Sequence, residues 1–241
     1  MITPYGLRAL MKWMATRGEI PRYQDAYASL DRCFRSRRDP WNFETDAYHA
    51  IRFDTIIDVI RRVPHRSILD VGCAEGHLTR RLCGVGEHVV AIDVSPTAAA
   101  RARETAVAAE VIYATLGKVE FDRTFDLVLC SEMIYYATDP VAAVRKLNSL
   151  GHFVLVTYTS YEGDRLDRIF ARIPVLHRAA CRYLRLFDAG KVVNRHGCRI
   201  VLWWSGALSE DVLQSMQAES RRGARERAPS GSRRLQTRRV Q

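Results

Sequence analysis

The stretch Ser67-Ile68-Leu69-Asp70-Val71-Gly72-Cys73-Ala74-Glu75-Gly76 constrains this chain more than any other. Ile68, Leu69 and Val71 form the compact apolar run of a strand covered on both faces, and Gly72 and Gly76 mark the places where a side chain would block a ligand. A helix carrying Leu78 and Leu82 follows, so its first backbone N–H groups are left free to donate to a polar ligand. The stretch therefore reads as a strand, a turn and a helix forming a cradle for a cofactor.

The glycine spacing limits which cofactor. A dinucleotide fingerprint begun at Gly72 needs glycines at positions 74 and 77, where the chain has Ala74 and His77. A phosphate-binding loop ending in Gly-Lys-Ser/Thr is absent. What remains is an acid followed by small residues at alternating positions: Asp70, Gly72, Ala74 and Gly76.

Strand and helix signals alternate downstream. The segment 88–94 (HVVAIDV) is a second strand, and Ser95-Pro96 is a cap with proline at the first helical position of an alanine-rich helix running to about Ala109. Residues 111–114 give a short third strand and 125–130 (FDLVLC) a buried fourth. Asp139-Pro140 repeats the cap-and-proline start for a helix through Leu147, before a fifth strand at 152–158. This order predicts an α/β fold: a doubly wound, mostly parallel sheet.

Upstream, Leu7, Leu10, Met11 and Met14 fall at helical spacing, and a second helix is predicted from near Thr45 until Pro64 stops it. Downstream, residues 164–186 read as largely helical with a break at Pro174. Residues 192–204 read as two strands about a turn at 194–197, an antiparallel C-terminal edge. The expected organisation is an N-terminal helical extension or cap at 1–40, a main domain at 41–206, and a helical remnant with a disordered basic tail at 207–241.

Charge is concentrated at that tail. The formal net charge is +10, and residues 219–241 hold eight arginines against Glu219 and Glu226. Nucleic acid is thus expected at most at the tail, and the N-terminal amphipathic helix either packs on the main domain or caps its cleft, with a membrane-surface helix as the alternative. The longest apolar runs are far below the roughly 18 residues of a membrane span. The six cysteines have no CxxC pair, so free thiols in a reducing cytoplasm are expected, with no metal centre.

With DVGCAEG at 70–76 and an acid, Asp93, ending the second strand, the chain resembles the class I S-adenosylmethionine-dependent methyltransferases. The carboxylate of Asp93 is placed to accept from both ribose hydroxyls of such a cofactor. The segment 131–139 (SEMIYYATD), with Asp39-Pro40-Trp41 and the helix bearing Tyr48 and Arg52, resembles more narrowly the nodulation protein S family of N-methyltransferases, over about residues 39–157.

The resemblance implies S-adenosylmethionine as cofactor, held by Asp70, Gly72, Cys73, Ala74, Gly76, Asp93, Val94, the Thr115 region, Ser131 and Arg52. It implies a small polar acceptor, with the free amine of an amino sugar or chitooligosaccharide favoured over O-methylation of a sugar or other metabolite. Glu132, Tyr135 and Tyr136, after the fourth strand, are the candidates to orient or deprotonate the acceptor, and Trp41 and Tyr48 to line its site. The family's usual glycine at position 74 is alanine here, and Leu116 stands where an acid often meets adenine. A binding protein for RNA or a membrane surface on the same scaffold is the competing expectation.

Overall fold

The computed structural model describes residues 23–159, 163–187 and 191–225. The expected helix around Leu7 to Met14 and most of the Arg-rich tail lie outside the described residues. Helix α1 (Tyr23–Ser36) comes first and α2 (Ala47–Ile60) follows, its start fixed by the Asp46 carboxylate accepting from the Tyr48 N–H. The alternation then runs β1 (Ser67–Val71), α3 (His77–Leu82), β2 (His88–Asp93), α4 (Pro96–Thr105), β3 (Glu110–Tyr113), β4 (Phe125–Ser131), α5 (Pro140–Leu150) and β5 (Gly151–Thr159).

Both predicted caps are present. The Ser95 side chain accepts from Ala98 N–H, the Asp139 side chain accepts from the Val141 and Ala142 N–H groups, and a proline opens each helix.

The chain ends with α6 (Gly163–Phe170), β6 (His177–Phe187), β7 (Lys191–Trp204) and α7 (Glu210–Arg225). Among the described residues, seven strands join one sheet in the order β3-β2-β1-β4-β5-β7-β6. β1 to β5 are parallel, and β7 and β6 add an antiparallel edge. The order reverses between β1 and β4, and the crevice beyond the carboxyl ends of those strands is where a doubly wound sheet holds ligands.

Apolar side chains fill both faces. Phe125, Val128, Val154, Val156, Phe170 and Trp203 pack on one face; Ile56, Ile60, Ile68, Leu127, Leu155 and Leu202 pack on the other, under α2. Such double coverage explains why the central strands read as continuous apolar runs rather than as alternating ones.

Three local expectations are corrected. The predicted helix over 164–186 ends at Phe170, and 177–187 is a strand, because its backbone pairs antiparallel with β7 from His177↔Leu202 to Phe187↔Lys191. The predicted turn at 194–197 is absent: 191–204 runs as one strand, paired with β5 over its second half and with β6 along its length. Long-range pairing outweighs a local helix signal in the first case and a local turn signal in the second. The disorder expected from about residue 220 is not found over 220–225, where α7 continues to Arg225 and Ser220 is buried; residues 226–241 lie outside the described residues.

Candidate active site

β1 delivers Asp70 into the interior, where it is 1% exposed and its carboxylate accepts from the Thr79 hydroxyl at 2.7 Å. Burial raises its pKa to about 6, with Asp93 raising it further and the Thr79 hydrogen bond and Arg52 opposing. The chain then turns sharply. Gly72 and Gly76 have φ of +81° and +82°, a region open to glycine at little cost. At Gly72 a Cβ would meet the Met133 side chain at 2.9 Å, and at Gly76 the Ala102 backbone at 3.0 Å.

Ala74 also adopts a positive φ, 51°, where an L-residue pays a strain cost of about 1 kcal/mol. It is held there by its own N–H, which donates to the Asp93 carboxylate at 2.8 Å. The methyl at position 74 is thus accommodated by a hydrogen bond between the loop and the end of β2.

Asp93 is the hinge of this half of the site. One oxygen accepts from Ala74 N–H and the other from Ser95 N–H, both at 2.8 Å. Burial raises its pKa to about 6 against the lowering effect of these amides. Each oxygen retains accepting capacity beyond its amide. Val94 is half-buried behind it, and Ala114 N–H donates to the Asp93 carbonyl, which brings the Thr115 turn alongside. Leu116 is turned into the core.

A second set of contacts latches the loop from outside. Glu75, 4% exposed, pairs with Arg101 of α4 and accepts from the Asp39 N–H at 2.6 Å. The same Arg101 donates to the carbonyls of Phe34 and Arg37, and Asp31 of α1 accepts from the Ser95 hydroxyl at 2.7 Å. α1 is therefore tied to the β2 end of the site. Neither Glu75 nor Arg101 has a local sequence signal; their role exists only once α4 is folded against the loop.

Arg52 of α2 enters from the opposite side. It is 2% exposed and lies 4.8 Å from the Phe53 ring centre. It donates to Ser131 Oγ at 2.8 Å and approaches His49 Nδ1 at 3.2 Å, while its Nε is buried without a hydrogen-bond partner. Arg52, Asp70, Gly72, Cys73, Ala74 and Ser131 line one cleft together with Phe43 and His77. Of the residues expected to hold the cofactor, six thus meet in one place. Phe43 and His77 are additions that no sequence pattern announced.

At the tip of β4, Glu132 has φ 57° and its N–H donates to the Thr157 carbonyl at 2.9 Å. Its carboxylate accepts from Thr157 Oγ1 at 3.2 Å and from the Tyr135 hydroxyl at 3.4 Å. Tyr135 and Tyr136 lie ring to ring at 4.6 Å, both half-buried. The three candidate acceptor-handling residues are therefore contiguous. Trp41 packs between Phe34 and Phe43, and Tyr48 is 4% exposed beside His49.

Asp39, Glu75 and His77 bring ligand-type atoms within 4.8 Å of one another. The Asp39 carboxylate already accepts from the Phe43 and Glu44 N–H groups of its own turn, and Glu75 is engaged by Arg101 and the Asp39 N–H.

Comparison with known proteins agrees with this geometry. The family described as Nodulation protein S (NodS) matches residues 24–158, more than half of the chain. The chain belongs to the NodS family. Nodulation protein S of Bradyrhizobium diazoefficiens is 30% identical over 182 residues, covering 73% of this chain and 83% of the relative. Nodulation protein S of Sinorhizobium fredii is 32% identical over 170 residues, covering 65% and 79%. The fold matches the crystal structure of N-methyltransferase NodS from Bradyrhizobium japonicum WM9 in complex with S-adenosyl-L-homocysteine, with TM-score 0.62 and 17% identity over 74% of this chain and 97% of that one. Among the described residues, no helix is long and apolar enough to cross a membrane.

Proposed function

We propose that this member of the NodS family is an S-adenosylmethionine-dependent methyltransferase that methylates the free amine of an amino sugar, a chitooligosaccharide in the leading case. The observation that carries the reading is the convergence, in one cleft, of the positive-φ loop 72–76, the buried Arg52 with its unpartnered Nε, and the end of β4. Asp93, bonded to that loop through Ala74, completes the set.

These residues fit the cofactor. Asp93 retains lone pairs for ribose hydroxyls, and Gly72 and Gly76 hold the loop in a positive-φ turn beside it. Arg52 Nε is a buried donor suited to a carboxylate, so Arg52 would hold the amino-acid end and Asp93 the nucleoside end. When bound, the cofactor supplies an electrophilic methyl group on a sulfonium that takes back the bonding electron pair.

The remaining work falls to the chain itself. Glu132, braced by Thr157 and Tyr135, holds the acceptor amine and takes the N–H proton as the new N–C bond forms. Tyr135 and Tyr136 form a half-buried aromatic wall beside it, which excludes water and orients a sugar ring. The products are S-adenosylhomocysteine and the methylated amine.

A labelled-methyl transfer assay with S-adenosylmethionine and free-amine chitooligosaccharides, fully N-acetylated ones, other sugars and RNA tests the reading. Label on nitrogen of the free-amine sugar alone is the expected result. Label only on a sugar hydroxyl would convert the enzyme to an O-methyltransferase, and label on RNA would overturn the small-acceptor reading.

A further inference from the structure

Thr157 has no role in any motif, yet it touches Glu132 at two points. Its carbonyl accepts from the Glu132 N–H at 2.9 Å, and its hydroxyl donates to the Glu132 carboxylate at 3.2 Å. It is completely buried, on β5, directly opposite Ser131 in the β4–β5 register. Glu132 needs such a clamp because its φ of 57° is a strained value for a residue with a side chain, held only where neighbours enforce it.

The protons in this part of the site have one consistent order. An ionised carboxylate only accepts, so the single Thr157 hydroxyl proton is spent on Glu132. Thr157 Oγ1 must then accept from Ser131 Oγ, 3.1 Å away, and Ser131, its own proton spent, accepts from Arg52 at 2.8 Å. The result is a directed chain from the guanidinium that lines the cofactor cleft, through two hydroxyls, to the carboxylate at the acceptor end.

We propose that Thr157 is a positioning residue for methyl transfer: with Ser131 it joins Arg52 to Glu132 in a proton-ordered chain and fixes the Glu132 carboxylate toward the acceptor. The role of Glu132 rests on the function proposed above. The clamp itself does not, and its test has a readout independent of turnover.

Thr157→Val keeps the shape, the strand preference and the backbone half of the clamp while deleting the hydroxyl, and Thr157→Ser restores the hydroxyl. In protein labelled with 13C at glutamate Cδ, the Glu132 resonance is the one that Glu132→Gln removes. That resonance should move in Thr157→Val and return in Thr157→Ser. With acceptor and S-adenosylmethionine saturating, kcat of Thr157→Val should fall about tenfold or more, as expected for loss of a hydrogen bond to a charged group. S-adenosylhomocysteine affinity should stay within about twofold, and the serine variant should recover most of kcat.

An unmoved Glu132 resonance in Thr157→Val overturns the clamp. So does a kcat unchanged by the valine, or one that serine fails to restore. If the valine variant does not fold, Ser131→Ala interrupts the chain one hydroxyl upstream and should displace the same resonance by a smaller amount, and no displacement there also overturns the chain. Should wild type transfer no methyl to any acceptor, the proposed function fails while the resonance shifts still decide the clamp.

Discussion

The two halves of the site are built by different means. The cofactor half comes from two consecutive strand–turn–helix units, and its decisive bond, Ala74 N–H to Asp93, joins residues 19 apart in the chain. The acceptor half is assembled across the sheet: Glu132 reaches Thr157 over 25 positions, and Thr157 is linked through Ser131, 26 positions away, to Arg52 on the cofactor side, which lies 79 positions from Ser131. In the function proposed above, a ligand common to many enzymes is held by the loop backbone, the Asp93 carboxylate and Arg52. The half proposed to recognise a particular acceptor uses side chains just beyond β4 and on β5, outside the loop 72–76. Cofactor binding and acceptor chemistry should therefore separate under mutation.

The sharpest separation is expected at Glu132. Glu132→Gln removes the proposed proton acceptor while leaving the loop 72–76 and Asp93 in place. Its kcat should drop about a hundredfold or more, the usual worth of a general base, with S-adenosylhomocysteine affinity within about twofold of wild type. Steady-state kinetics paired with calorimetry measure both, and a parallel loss of affinity would merge the two halves.

Asp93→Ala should show the converse. It removes the carboxylate that braces Ala74 and Ser95 and that is proposed to meet the ribose. Loss of charge-assisted hydrogen bonds of this kind corresponds to an affinity decrease of about 10- to 100-fold. Residual turnover at saturating cofactor should exceed that of Glu132→Gln, and the opposite ranking would break the comparison.

A smaller effect belongs to the cofactor half alone. Asp70 and Asp93 both have pKa values raised from 3.8 to about 6 by burial. Between those two values the folded chain binds more protons than the unfolded one, so stability falls as pH rises through the window. Lowering the pH from 7.5 to 5.5 should thus raise Tm of the ligand-free protein, by about 2–4 °C for each kcal/mol gained. Over the same range S-adenosylhomocysteine should bind more weakly, because a protonated Asp93 loses accepting capacity. A Tm that falls steadily on acidification would show that these two acids are not the buried pair described.

What could be read from the chain follows the same division. The loop, Asp93, the proline-led caps and the parallel order of five strands were legible because each is a local pattern: an apolar run, a glycine at positive φ, a capping side chain. The antiparallel C-terminal edge was also expected, but its strand bounds were not legible, since β6 is recognisable as a strand only through its pairing with β7. Glu132, Tyr135 and Tyr136 could be placed at the strand end from the crevice rule for doubly wound sheets. Thr157 could not, because a threonine inside an apolar strand is ordinary until the register sets it opposite Ser131. The Glu75–Arg101 latch was hidden for the same reason: its partners are 26 residues apart on different elements.

The central claim, that the strand–turn–helix after β1 and the end of β2 form a cradle for S-adenosylmethionine, is tested most directly by titrating S-adenosylhomocysteine into the folded wild-type chain in a calorimeter at pH 7.5. The account predicts saturable binding at a single site per chain. A folded protein that gives no binding signal at ligand concentrations up to about 1 mM, where even an affinity of about 4 kcal/mol would register, would contradict it.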